Sequence, residues 1–332
     1  MKKPVLRKTR AHPNFKIKSV GNVASKNRVF LLIHVPTGKT YFVKAAGKPL
    51  SSAYPKEGFK RDLAVSRFVS RARAGISPEF IMAESPSHSK YFIQQYVRHL
   101  RKFSYSKDAT NAARLLAKLH KIKMKGPLPR NLPSNPILCA ALNLKFTPKE
   151  KETLRRKSPH FLEFMELLEQ ACTALLPAAK RLLASPQALC HNDTVAQNWI
   201  VGKRGRLYLV DFEWAALSHP AFEIASFASP FSFSWSGAKA QEGMEEKFMR
   251  AYCKASGISY KKLAPLVRLA RHFVYLSHAA WIARLFLSRE KSNLGKVYLT
   301  PRGKLEIAAI NRSICKKTAA LCAQRLLLAF LP

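Results

Sequence analysis

The segment LCHNDTVAQNWIV, Leu189 to Val201, sets His191, Asp193 and Asn198 between two apolar ends, and RLYLVDFEWA adds Asp211 and Glu213 after a second apolar run. Two carboxylates and an amide in this order suit transfer of a phosphoryl group from ATP. One carboxylate orients an acceptor hydroxyl and takes its proton, while the second, with an amide oxygen, holds Mg²⁺ against the phosphates. On this reading Asp193 is the base and Asn198 and Asp211 are metal ligands. Glu213 is a further carboxylate able to help hold a second Mg²⁺. Mg²⁺ favours a small number of hard oxygen ligands, which this set supplies. His191 shares the catalytic loop and braces it rather than reacting.

Such residues need a frame. The apolar runs on either side predict a strand, a loop carrying His191 to Asn198, and a hairpin returning to Asp211. Upstream, FKIKSV, NRVFLLIHV and KTYFVKAA read as three strands, the last two joined by a turn at Pro36-Thr37-Gly38-Lys39. That turn contains TGKT, but a phosphate-binding P-loop would need glycine where Ile33 stands, so this reading fails. Lys56 to Ala74 has helical periodicity, with Phe59, Leu63, Phe68 and Val69 on one face. GISPEF interrupts it, and KYFIQQYV is the next strand. ATNAARLLAKLHKIK and PHFLEFMELLEQACTALLPAAKRLLA read as helices, the second bent or ended near Pro177; residues 125–150, rich in Pro and Lys, read as a connecting loop.

Composition narrows the class. A chain of 332 residues with 47% hydrophobic content has enough apolar material for a large core in two lobes. Its six cysteines form no C-x-x-C pair, which argues against a zinc or disulfide framework and for buried thiols in a reducing cytoplasm. MKKPVLRKTRAHPNFKIK lacks the apolar core of a signal peptide, and no apolar run is long enough to span a membrane. The expected location is cytoplasmic, with peripheral membrane contact open. Fifty-eight Lys and Arg against 19 Asp and Glu leave a formal charge of +39. Such a field attracts polyanions such as nucleic acid, anionic lipid headgroups or phosphorylated glycans, unless it is simply the habit of a basic proteome.

The motif H-x-D-x-x-x-x-N followed by D-F-E resembles the choline/ethanolamine kinase and aminoglycoside phosphotransferase family, relatives of the protein kinases. GNVASKNRVFLL is similar to that family's phosphate-covering loop and YFVKAA to the strand with its nucleotide-binding lysine. RDLAVSRFVSRARAGISP, LLAKLHKIK and HPAFEIASF match three further family segments, in the same order. The resemblance implies a bilobal α+β fold of the protein kinase type, with a small antiparallel-sheet N-lobe and a mainly helical C-lobe. The expected divisions are a basic tail at 1–13, an ATP-binding lobe at 14–97 and a catalytic and acceptor lobe at 98–332. Lys44, Asp62, Gly21, Ser25, Asn27, Gln94 and Tyr96 would bind ATP. Asp62 replaces the family's glutamate as partner of Lys44, with Glu57 the alternative. Lys26 adds charge to a loop with a single glycine, and Glu223 replaces an aspartate and supports the catalytic loop.

RHFVYLSHAAWIARLF resembles the choline kinase segment that supplies an aromatic cage. Trp281 fits one wall, but Arg284 stands where a second tryptophan is expected, and Trp235 or Tyr275 would have to supply another ring. A cationic acceptor is poorly served by an arginine in its cage. The expected acceptor is therefore a neutral or anionic hydroxyl on a small molecule or glycan, with no obligate protein partner. The competing reading is a catalytically weak kinase-like protein that binds nucleic acid or an anionic membrane through its basic surface.

Overall fold

The computed structural model describes residues 13–20, 27–47, 57–72, 74–83, 90–123, 146–157, 159–185, 187–229, 232 and 243–289. Five antiparallel strands form the first lobe: β1 (Phe15–Ser19), β2 (Arg28–His34), β3 (Thr40–Ala45), β4 (Phe80–Ala83) and β5 (Tyr91–Gln95), in the order β1-β2-β3-β5-β4. The β2–β3 turn closes with the His34 N–H donating to the Lys39 carbonyl at 2.8 Å, and Gly38 takes the positive φ this turn requires. Helix α1 (Gly58–Arg71) buries Phe59 and Leu63 against Phe92 of β5.

The second lobe is mainly helical. Helix α2 (Tyr105–His120) buries Ala109, Ala112, Ala113, Leu116 and Leu119, a 3.6-residue pattern along one face. Then come α3 (Pro148–Lys157), α4 (Pro159–Ala184), the short strands β6 (Ala188–Cys190), β7 (Trp199–Val201), β8 (Leu207–Leu209) and β9 (Ala216–Ser218), and helices α5 (Pro220–Phe227), α6 (Met244–Ser256) and α7 (Tyr260–Arg289). β7 pairs with β8 and β6 with β9, both antiparallel. Stacked rings pin these pieces: Phe103 on Trp199 of β7, with centroids 5.2 Å apart, and Phe227 of α5 on Phe248 of α6 at 4.1 Å. The fold is thus α+β and bilobal.

Three expectations are corrected. The connecting loop expected at 125–150 ends earlier than expected, with α3 starting at Pro148, while 125–145 lie outside the described residues. Thr147 and Glu150 form a reciprocal capping box: the Glu150 N–H donates to Thr147 Oγ1 (3.2 Å), and the Thr147 N–H donates to Glu150 Oε2 (2.9 Å). Proline at the first helical position completes that start signal. The run after GISPEF includes a strand, β4, whose Ile81 and Met82 are exposed on the sheet edge. Finally, of the bend or end expected near Pro177, the end is excluded: α4 runs on to Ala184, packed along α7.

Candidate active site

β6 carries the chain into the loop that begins at His191. The Asp193 N–H donates to His191 Nδ1 (3.2 Å), and His191 Nε2 then donates to the Val210 carbonyl (2.9 Å). These two bonds set the ring's tautomer and tie the loop to the end of the β7–β8 hairpin. Asn198 closes a single helical turn just before β7, and its amide nitrogen donates to the Asp193 carbonyl (2.7 Å) and to Asp193 Oδ2 (2.8 Å). With its nitrogen committed, the amide presents its oxygen as the remaining ligand atom. Asp193 is half-buried, and the atoms packed around its carboxylate push its pKa up to about 6 through desolvation; His191 counters this while Asp211 adds to it. At neutral pH it is still ionised and can accept a proton.

Asp211 follows β8 with φ 68° and ψ 65°, a left-handed conformation that costs a non-glycine residue roughly 1–2 kcal/mol. A strained backbone at a polar site is the kind of outlier that marks function. Lys44, on β3, is 4% exposed, and its Nζ lies 2.6 Å from Asp62, 2.8 Å from Asp211 and 3.0 Å from Glu213. Burial alone would lower the lysine's pKa, but the charges of Asp211, Asp62 and Glu213 outweigh it and hold it well above the ordinary value. Asp62, buried on α1, is pushed up by desolvation against the pull of Lys44, and also accepts from the Phe212 N–H (2.9 Å) and Ser66 Oγ (3.1 Å). Glu57 does not reach Lys44: it pairs with Lys60 at 3.2 Å, and both are exposed.

Asn27, just before β2, donates from Nδ2 to Glu213, so the start of the sheet meets the same carboxylate. Gln94 is buried in β5, and Tyr96 follows it as an exposed residue. Gly21, Ser25, Lys26 and Trp235 lie outside the described residues. Trp281 and Arg284 fall on the backbone of α7, and Tyr275 is half-buried one and a half turns before Trp281. The carboxylate oxygens of Asp62, Asp211 and Glu213 lie within 4.8 Å of one another, an all-oxygen set of the kind Mg²⁺ prefers, with Asn198 able to add a further oxygen.

Two further features brace the site. Arg61 donates from Nη1 to the Glu213 carbonyl (2.7 Å), joining α1 to the turn after Asp211. Glu223, fully buried on α5, accepts through Oε1 from the backbone N–H groups of His191 (2.8 Å) and Asn192 (2.7 Å). Its Oε2 contacts His120 Nε2 of α2 at 2.6 Å, and His120 Nδ1 meets the Tyr252 hydroxyl of α6 at 2.7 Å. Burial holds the Tyr252 hydroxyl protonated, and the His120 ring links it to the Glu223 carboxylate. The sequence offered no spacing rule for Arg61 or Tyr252; the histidine of LLAKLHKIK was in view only as part of a resemblance.

A model of the phosphotransferase enzyme family matches residues 24–266. Mouse (Mus musculus) ethanolamine kinase 2 is 27% identical over 192 residues, covering 55% of this chain and 48% of that protein. The chain therefore matches about half the length of this curated relative. Among solved structures, an ethanolamine kinase of Plasmodium vivax superposes with a TM-score of 0.59 at 17% identity, over 91% of this chain and 84% of the other. A spectinomycin phosphotransferase with AMP bound gives 0.57 at 13% identity, over 89% of each chain. At these identities the superpositions establish the fold.

Proposed function

The chain belongs to the phosphotransferase enzyme family, and we propose that it transfers the γ-phosphoryl group of ATP, with Mg²⁺, to a hydroxyl of a small molecule. The observation that carries this reading is the convergence, from both lobes, of Lys44, Asp62, Asp211 and Glu213 beside the Asp193–Asn198 pair. Lys44 supplies a fixed cation for the nucleotide phosphates, and Asp62 orients it. Asp211, Glu213 and the Asn198 oxygen would hold Mg²⁺, which would offset the negative charge of the phosphates. Asp193 accepts the proton of the incoming hydroxyl. Its carboxylate is aimed by Asn198, so the acceptor meets a base already in place.

The AMP-bound neighbour supports nucleotide binding, and the ethanolamine kinases support an alcohol acceptor. Arg284, in the segment similar to the choline-kinase cage, argues against a quaternary ammonium, because a second cation in a partly dry cleft opposes a bound one. A neutral or anionic alcohol is the acceptor this reading favours, ahead of choline. The deciding experiment is a coupled assay of ATP consumption across ethanolamine, choline, sugar alcohols and glycan-derived hydroxyls, with and without Mg²⁺. Acceptor- and Mg²⁺-dependent turnover is expected. If no acceptor raises ADP release above the water background, or if choline outperforms every neutral and anionic alcohol, the corresponding part of the proposal fails.

A further inference from the structure

The excess positive charge has a concave focus away from the phosphotransfer centre. Where the residues after α1, the exposed face of α2 and the β7–β8 turn meet, they enclose an open cavity of about 430 Å³ that includes none of the site residues named above. Arg114 and Lys118 of α2 face Arg204 and Arg206 of the turn, and among the described residues no carboxylate lines the space. Among the described residues none of the four forms an ion pair.

Two of these cations are held in place. The turn is fixed by the Gly202 N–H donating to the Arg206 carbonyl (2.8 Å) and by the Gly205 N–H donating to the Gly202 carbonyl (3.2 Å). It carries Arg204 with φ 56°, a left-handed conformation seldom taken by a side chain of this size. The Arg206 guanidinium sits 4.9 Å from the centroid of the Tyr208 ring. It also lies directly over Gly75, where a Cβ would fall 2.5 Å from Arg206 Nη2. The missing side chain at Gly75 makes room for the guanidinium. Four like charges gathered with no counter-charge among the described lining residues repel one another. An anion in the cavity would reverse that balance.

We infer that this cavity binds a compact anion carrying two or more phosphate groups. Three arginines offer flat, two-pronged donors matched to phosphate oxygens, and the lysine adds a point charge. The enclosed volume suits one such group rather than a run of nucleic-acid backbone. The anion could arrive as a free polyphosphate or as the headgroup of a phosphorylated lipid.

The test is calorimetric titration of the full chain with inorganic tripolyphosphate at physiological salt. EDTA is included so that metal-dependent binding in the nucleotide cleft contributes little. Two double variants remove opposite walls, Arg204→Ser with Arg206→Gln, and Arg114→Gln with Lys118→Gln. A charge-matched control, Lys261→Gln with Lys262→Gln, alters exposed positions on α7. Either wall variant should weaken binding at least tenfold, roughly the value of one charge-assisted bond, while the control stays within twofold. Thermal unfolding of each variant distinguishes a lost site from a lost fold, and the exposed α2 pair provides a variant that retains its fold. Co-sedimentation with phosphatidylcholine vesicles containing a bisphosphorylated inositol lipid separates the two sources. Vesicle binding that needs the same arginines identifies a headgroup, and tripolyphosphate binding without it identifies a free anion. Affinity that survives in both wall variants, or that falls equally in the control, overturns the inference.

Discussion

At the residue scale the consequential choice is between a carboxylate that reacts and one that supports. Asp193 is oriented by the Asn198 amide, whereas Asp62 has its oxygens taken by Lys44, Ser66 and the Phe212 N–H. Asp193→Asn is accordingly expected to lower kcat by roughly 10²–10⁴ while leaving the nucleotide Kd within a few-fold, as steady-state kinetics and a nucleotide titration would show. Asp62→Ala should damage both folding and rate, because it strips a buried lysine of a partner 2.6 Å away. Glu57→Ala, which loses only a surface pair, should leave kcat/KM within about twofold. Comparing those two variants tests the helix register directly; a silent Asp62 with a harmful Glu57 would overturn it. The residue pattern made the clustering of Asp193, Asn198 and Asp211 legible, since the chemistry proposed for them demands those types in that order. It gave no access to Arg61, whose role depends on a carbonyl 152 residues away.

Elements matter here for what they hold still. The segment from His191 to Val195 has no regular structure of its own, and α5 fixes its start through the Glu223 side chain, which gathers two backbone N–H groups and His120. Glu223→Ala should leave those donors buried without partners and lower stability by about 3 kcal/mol or more, read as a fall in the midpoint of urea unfolding. A midpoint within experimental scatter of the parent would show that water replaces the carboxylate. The strands β2, β3 and β5 and the helices α1 and α2 follow from alternation and 3.6-residue spacing. β4 did not, because four residues with no alternation and two exposed apolar side chains carry no periodic signal. The start of α3 was legible in principle: Thr147-Pro148-Lys149-Glu150 is a capping box with proline in place, masked by the Pro- and Lys-rich stretch before it.

For the whole molecule, charge decides how stability follows pH. Burial lowers the pKa of His99, His219, His272 and His278, the last to about 4. The unfolded chain therefore takes up these protons at higher pH than the folded one. Their contribution to stability is complete above about pH 6.5 and is lost as the pH falls towards 4. Asp193 works in the opposite sense below about pH 6, since its folded carboxyl takes a proton first. Thermal midpoints should therefore begin to fall just below pH 6.5, and His278→Gln should flatten that decline; an unchanged slope would remove His278 from this role. The lysine engaged with three carboxylates has a different consequence, one of timing. Lys44 and Asp62 belong to one lobe and Asp211 and Glu213 to the other, so the four together latch the cleft. On the proposed function, nucleotide and metal would enter only as fast as that latch lets go. In a stopped-flow experiment the observed association rate should rise with nucleotide concentration and then level off at the opening rate. A linear rise at all concentrations would mean the cleft stands open on the timescale of encounter.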